Sequence, residues 1–190
     1  MKYDIYKIFP STNDINKIQY DTEGLYSITH FTDADIISKL ILSNYDNPDN
    51  LNIIDCNASI GGNTISFSKY FKTVTAVEIN QNRYNILNNN INIYKLNNIN
   101  TILGDCINLI TNNQKFDVFF FDPPWGGLDY KNKSLLRLKL DNYSLKNIIN
   151  LININEKLIV FKLPFNYDFD EFSDYNYKLY KIKNYYIIMI

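Results

Sequence analysis

The stretch Phe116-Asp117-Val118-Phe119-Phe120-Phe121-Asp122-Pro123-Pro124-Trp125-Gly126-Gly127 decides the fold. From 116 to 121 it is apolar throughout after Asp117, as expected of a central parallel strand buried on both faces. Asp122-Pro123-Pro124 must then leave the sheet, because proline has no N–H to give to the ladder. A strand that ends on a carboxylate, two stiff residues and an indole puts polar chemistry at its carboxyl end, which is where open α/β sheets bind ligands.

Outward from this strand, short apolar runs alternate with longer amphipathic segments after residue 50, the sequence form of repeated βα units and a mainly parallel sheet. Strands are expected over 51–55, 73–78, 99–103, 116–121 and 157–163, the last closed off by Pro164. Helices are expected over 63–70, 82–94, 106–111 and 143–152. Segments 176–182 and 185–190, joined at Lys183-Asn184, read as an antiparallel pair at the sheet edge. The expected fold is α/β and Rossmann-like.

At 190 residues the chain fits one domain that buries its core without disulfides. Two cysteines, Cys56 and Cys106, and a single histidine, His30, assemble no zinc set, so no metal is expected and His30 is assigned no role. Charges from Lys2 and Asp4 onward leave no apolar leader, and no run approaches the ~18 apolar residues of a membrane helix. A soluble, intracellular protein without a membrane partner is expected.

The net charge of -1 lacks the basic footprint of a protein that grips long nucleic acid, whereas a small or terminal nucleic-acid ligand fits it. The abundance of Asn, Ile, Lys and Tyr is read as the mark of an AT-rich genome, so runs such as Asn88-Asn89-Asn90 are taken to carry little information. Ile and Tyr interleaved through these runs argue against disorder.

The remaining polar residues of interest fall at strand ends. Asp55 and the turn through Gly61-Gly62 follow the first strand, Glu78 ends the second, and Gly104-Asp105 follow the third. Each has a job if the ligand is S-adenosylmethionine. Gly61 and Gly62 let the backbone approach the methionine part and tolerate positive φ. Glu78 accepts from the ribose hydroxyls, as an acidic residue does in dinucleotide folds, and Asp105 accepts from the adenine amino group. Singly, a glycine pair is often only a tight turn and a strand-end acid only a helix cap; their gathering at one sheet edge carries the reading.

Asp122-Pro123-Pro124-Trp125 fits methyl transfer to an exocyclic amine conjugated with a purine ring. Such an amine is a poor nucleophile, so it must be held in line and offered acceptors that draw electron density onto nitrogen. Asp122 and the Pro123 carbonyl supply these, Pro123 and Pro124 stiffen the loop, and Trp125 offers a face on which a base stacks.

These residues resemble the trimethylguanosine synthases, which methylate N2 of the 7-methylguanosine RNA cap. The likeness is concentrated in Tyr20 to Thr29, in Asp55 to Thr64 ending Gly61-Gly62-Asn63-Thr64, and in Phe121 to Tyr130 with Pro-Pro-Trp-Gly-Gly. It implies a class I S-adenosylmethionine-dependent methyltransferase with a mostly parallel seven-stranded sheet and a C-terminal antiparallel hairpin. A dehydrogenase-type fold more often ends on a parallel strand. It implies residues 1–35 as an N-terminal extension packing on the active site and 36–190 as the catalytic domain, acting as a monomer on 7-methylguanosine-capped RNA. The cofactor residues carried over are Thr29, Asp55, Ser59, Gly61, Asn63, Thr64, Glu78, Asp105 and Asp122. Trp125, Lys17, Tyr26 and Asn166 take the substrate, with Trp125 stacked on a methylated guanine whose positive charge strengthens the contact. Asp122, Pro123 and Pro124 are the catalytic set.

Departures are specific. Ser59 stands where the family usually has the first glycine of the cofactor loop, Ala58 where it often has cysteine, Asp122 where many members have serine, and Leu128 where a proline is common. Phe165, in Leu163-Pro164-Phe165-Asn166, replaces an arginine expected near the cap phosphates, and Lys17, Lys131 or Lys162 would have to supply that charge. Two rival readings remain open. An adenine-N6 methyltransferase on DNA or RNA would also use Asp-Pro-Pro-Trp, and a cap-binding module without catalysis would keep Trp125 but not need Asp55, Glu78, Asp105 and Asp122 together.

Overall fold

The computed structural model describes residues 4–112, 115–152 and 157–190. The chain divides into two compact units, Met1–Cys106 and Ile107–Ile190.

In the first unit, short helices α1 (Ile5–Ile8) and α2 (Thr22–Ser27) precede the longer α3 (Phe31–Leu42), which no sequence pattern had suggested. Strands β1 (Asn52–Asp55), β2 (Thr73–Glu78) and β3 (Ile99–Leu103) alternate with α4 (Gly62–Phe67) and α5 (Gln81–Ile93). All three strands are parallel, in the order β3-β2-β1. Ile53, Ile54, Val74, Ala76 and Val77 are fully buried, the double-faced burial that parallel strands require. Helix α3 buries Ala34, Ile37 and Ile41, and its Ser38 hydroxyl shares a 2.8 Å hydrogen bond with Ser66 of α4.

Helix α5 corrects the view that its asparagines carry little information. Asn80 caps it, accepting from the N–H groups of Asn82 and Arg83. Asn90 is fully buried; its amide donates to the carbonyls of Gln19 and Ile60, each at 3.0 Å, and accepts from Gln19 N–H at 3.0 Å. A buried amide that satisfies two outlying backbone segments is a structural pin, since those groups would otherwise lie unpaired away from water.

Helix α6 (Cys106–Asn112) leads into the second unit, where β4 (Val118–Phe121) is buried along its whole length. A small hairpin of β5 (Lys139–Leu140) and β6 (Tyr143–Ser144) precedes α7 (Leu145–Leu151). The helix expected over 143–152 therefore starts two residues late, because Ser144 and Asn147 close a capping box and the residues before it pair as a strand. Strand β7 (Leu158–Pro164) runs parallel to β4, and β8 (Lys178–Ile182) with β9 (Tyr185–Met189) forms the antiparallel hairpin, in the order β4-β7-β9-β8. Pro164 is the last residue of β7, and its carbonyl accepts from Tyr167 N–H at 3.1 Å. The core here is aromatic: Phe119, Phe120, Phe121, Phe161 and Phe172 are fully buried, with Phe161 stacked on both Phe121 and Phe172.

The seven strands of the two units, mostly parallel and ending in an antiparallel hairpin, carry the Rossmann-like α/β class expected. Among the described residues no helix is long and apolar enough to cross a membrane.

Candidate active site

Within the first unit the loop after β1 is shaped by its own backbone. Ser59 has φ +49° and Gly61 φ +101°, and Gly61 N–H donates to Ala58 carbonyl at 2.9 Å. A serine thus holds the left-handed conformation that glycine adopts at least cost. Its N–H donates to Glu78 Oε2 at 2.9 Å, and Glu78 Oε1 accepts from Asn80 N–H at 2.8 Å. Glu78, buried at the end of β2, therefore ties the cofactor loop to the start of α5. Arg83, which sequence reasoning missed, lies 3.6 Å from Glu78 and 2.6 Å from Glu23 of α2.

Asp55 is fully buried and accepts from Thr64 Oγ1 at 2.6 Å, so the end of β1 is joined to the first turns of α4. Asn63 Nδ2 donates to Thr29 Oγ1 at 3.1 Å, both side chains being buried. A Cβ on Gly62 would lie 2.6 Å from Ile28 Cγ1 and 2.8 Å from Thr29 carbonyl oxygen. Part of the reason for that glycine is thus the close approach of the segment carrying Thr29, a contact that spacing could not reveal. On Gly24 a Cβ would meet Ile60 at 2.7 Å, so α2 also presses on the cofactor loop. Tyr26 is half-buried on α2 and Asp105 half-buried after β3. Lys17 is exposed and ion-paired with Asp14 at 2.8 Å, which holds the Asp14 carboxyl below its usual range.

The residues fit S-adenosylmethionine on an observation of their own. The buried Oδ1 atoms of Asn57 and Asn63 accept no hydrogen bond from the described residues. Buried acceptors of this kind are costly unless a ligand or water donates to them. They flank the positive-φ loop, beside a strand-end carboxylate. Burial, with the hydrogen bond to Cys106, pushes the Cys56 thiol well up, which removes it as a nucleophile.

Within the second unit, β4 delivers Asp122, followed by buried Pro123, exposed Pro124 and half-buried Trp125. Gly126 and Gly127 take φ +92° and +75° with open space around them, so backbone conformation alone calls for glycine. Trp125 rests edge-on against Tyr130 at 5.2 Å and donates its indole N–H to Lys162 carbonyl at 3.3 Å. Lys162 itself, only 4% exposed on β7, places its ammonium 2.7 Å from Asp122 Oδ2 and 5.0 Å from the ring centres of both Trp125 and Tyr185. Lys162, named as one candidate to supply the charge of the family's arginine, has its ammonium paired with Asp122. Phe165, in that arginine's place, is exposed, and exposed Lys131 lies 5.7 Å from the Tyr130 ring. Asn166, expected among the substrate residues, is buried and donates to the carbonyls of Tyr130 and Lys133 at 2.9 and 2.7 Å.

A glycine loop after the first strand, an acid ending the second and Asp-Pro-Pro-Trp ending the fourth, on this strand order, define a Rossmann-like methyltransferase. A methyltransferase from Geobacter sulfurreducens has the same fold, with a TM-score of 0.61 at 11% identity, covering 86% of this chain and 79% of that one. The family model of the RNA cap guanine-N2 methyltransferases matches residues 51–189. The chain belongs to that family and is an S-adenosylmethionine-dependent enzyme. It is 37% identical over 193 residues to uncharacterized protein L320 of Acanthamoeba polyphaga mimivirus, covering 88% of this chain and 75% of the relative. It is 28% identical over 165 residues to trimethylguanosine synthase of Schizosaccharomyces pombe, covering 83% and 67% respectively.

Proposed function

We propose that this protein transfers methyl from S-adenosylmethionine to the exocyclic N2 of 7-methylguanosine on capped RNA. The observation that carries the reading is Trp125, projected by a Pro-Pro turn directly after Asp122 at the carboxyl end of β4.

In this reading residues of the first unit hold the cofactor. Glu78 accepts from the ribose, Asp105 from the adenine amino group, and Asn57 and Asn63 accept from the ammonium. Ile79, 69% exposed directly after Glu78, offers adenine an apolar surface. Ser59, Gly61 and Thr64 shape the loop, and the 1–35 extension, through Thr29 and Gly24, holds that shape, while Tyr26 takes the substrate. The cofactor would supply a sulfonium methyl: N2 would form the new N–C bond as the C–S bond breaks, S-adenosylhomocysteine leaving with the sulfur's electron pair and the N2 proton going to solvent.

Residues of the second unit hold the acceptor. Trp125 stacks on the base. Asp122 and the Pro123 carbonyl accept from the N2 amino group, which turns its lone pair toward the methyl and raises its electron density. A carboxylate accepts about four hydrogen bonds, so pairing with Lys162 does not end the acceptor role of Asp122. Catalysis is then positioning and electrostatics, without a covalent intermediate. The mimivirus relative supports a viral setting in a host cell.

A second reading, transfer to adenine N6, is favoured by Asp122 itself, which matches the broader amino-methyltransferase motif. A mass-resolved assay with S-adenosylmethionine and 7-methylguanosine diphosphate, guanosine diphosphate or an adenine oligonucleotide decides between them. Product from the 7-methylated nucleotide alone is expected. Product from adenine alone would overturn the cap reading, and no product despite S-adenosylmethionine binding would point to a missing partner or a different acceptor.

A further inference from the structure

We propose that Lys162 is a specificity-determining and positioning residue of the acceptor site, tying Asp122 to Trp125 and balancing the charge that a cationic base meets there. The proposal rests on the cap-guanine reading above for its specificity half, and on the structure alone for its positioning half.

A lysine in the middle of a strand and almost wholly buried is costly unless its charge is compensated. Lys162 is compensated on two sides. Asp122 Oδ2 takes one proton of the ammonium at 2.7 Å, and the faces of Trp125 and Tyr185 take the remaining charge at 5.0 Å each. Its carbonyl meanwhile accepts the indole N–H of Trp125 at 3.3 Å. One residue thus grips the indole by its ring and by its nitrogen while holding the neighbouring carboxylate.

Two consequences follow for recognition. The ammonium already lies over one Trp125 face, so a base stacks on the other. A cation on that second face shares the same π-electrons with Lys162, which weakens the preference of the indole for a charged over a neutral guanine. Asp122 acts in the opposite sense, drawing a cationic base toward it. The ammonium and the carboxylate together leave this pair near neutral. Lysine at 162 therefore offsets aspartate at 122, and changing either alone should shift the balance in opposite directions.

The test uses Trp125, the chain's one tryptophan, as a private fluorophore. Emission and acrylamide quenching of the free protein are compared for wild type, Lys162→Met, Asp122→Asn and the double variant, and affinities for 7-methylguanosine diphosphate and guanosine diphosphate are measured on each. Lys162→Met is expected to red-shift Trp125 and raise the methylated-to-unmethylated affinity ratio about tenfold, the order expected for removing one positive charge at short range from a cationic base. Asp122→Asn should lower that ratio by a similar factor, and the double variant should return it near the wild-type value. If Lys162→Met does not fold, Asp122→Asn and the double variant carry both readouts. Equal loss of both affinities, with the ratio unchanged in every variant, would assign Lys162 a structural role only and overturn the specificity half. Unchanged Trp125 emission and quenching on removal of Lys162 would overturn the positioning half. Should wild type bind neither nucleotide, the cap reading fails and the specificity half with it, while the fluorescence still decides positioning.

Discussion

The backbone N–H of Ser59 donates to Glu78 Oε2 at 2.9 Å, so the residue expected to hold the ribose also holds the cofactor loop. Its other oxygen accepts from Asn80 N–H at 2.8 Å. Glu78→Gln must turn an NH2 group toward one of these two donors. We expect a stability loss of about 1–3 kcal/mol, measured by urea denaturation, together with weaker S-adenosylmethionine binding by calorimetry. Unchanged stability would mean that the loop is held by other contacts.

At Ser59 itself, φ +49° costs an L-residue about 1–2 kcal/mol relative to a relaxed conformation. Glycine relieves this strain but adds freedom to the unfolded chain. Ser59→Gly should therefore be neutral or stabilising by up to about 1 kcal/mol, whereas Ser59→Val, β-branched at positive φ, should destabilise. A stability loss in the glycine variant equal to that of valine would show that the serine hydroxyl, not the backbone, matters.

Gly62→Ala places a methyl 2.8 Å from Thr29 carbonyl oxygen and 2.6 Å from Ile28 Cγ1. Side chain Ile28 can turn, but the backbone oxygen yields only if the segment moves. A loss of about 1–3 kcal/mol is expected, with faster limited proteolysis within 20–30. Protection equal to wild type would mean the segment adjusts without loosening.

Trp125→Ala should cut affinity for 7-methylguanosine diphosphate about 10- to 100-fold, since base stacking on an aromatic ring is worth about 1–3 kcal/mol. S-adenosylmethionine affinity should stay unchanged. Equal activity of the variant on the methylated cap would remove the stacking role.

Burial pushes the Tyr94 hydroxyl up to about 12, and it donates to Pro10 carbonyl at 2.6 Å. Because the folded value lies above the ordinary 10.0, this group's contribution is complete below about pH 10 and is lost as pH rises through about 12. Partial exposure screens it to on the order of 1 kcal/mol. The stability difference between wild type and Tyr94→Phe should shrink over that window in pH-dependent denaturation. A constant difference would exclude the linkage.

Much of this was legible in the chain. Strands 73–78 and 99–103 have the bounds that their sequence suggested, the first because its residues after Thr73 are buried on both faces, the second, an edge strand with half-exposed side chains, because Ile99, Ile102 and Leu103 stop at the Gly104 turn. Helix α5 was legible as a helix although its asparagines disfavour one, because Leu87 and Ile91 keep the period. The buried role of Asn90 was not, since an amide's partners are set by segments 30 and 71 residues away. Helix α3 went unread, its apolar positions giving no turn signal at either end beyond His30 and Ser43.

By itself the sequence determined the α/β class, the strand ends at which chemistry gathers, and the Asp122 to Trp125 motif, because periodicity and proline are local properties of a chain. Only the tertiary structure decided what those residues touch. Lys162, 40 residues from Asp122, read as one spare lysine among several; folding buried it, and a buried ammonium must find its counter-charge. Gly62 read as a ligand cradle, and packing revealed Thr29 against it. Such pairings depend on which distant segments meet, a quantity that no spacing along the chain encodes.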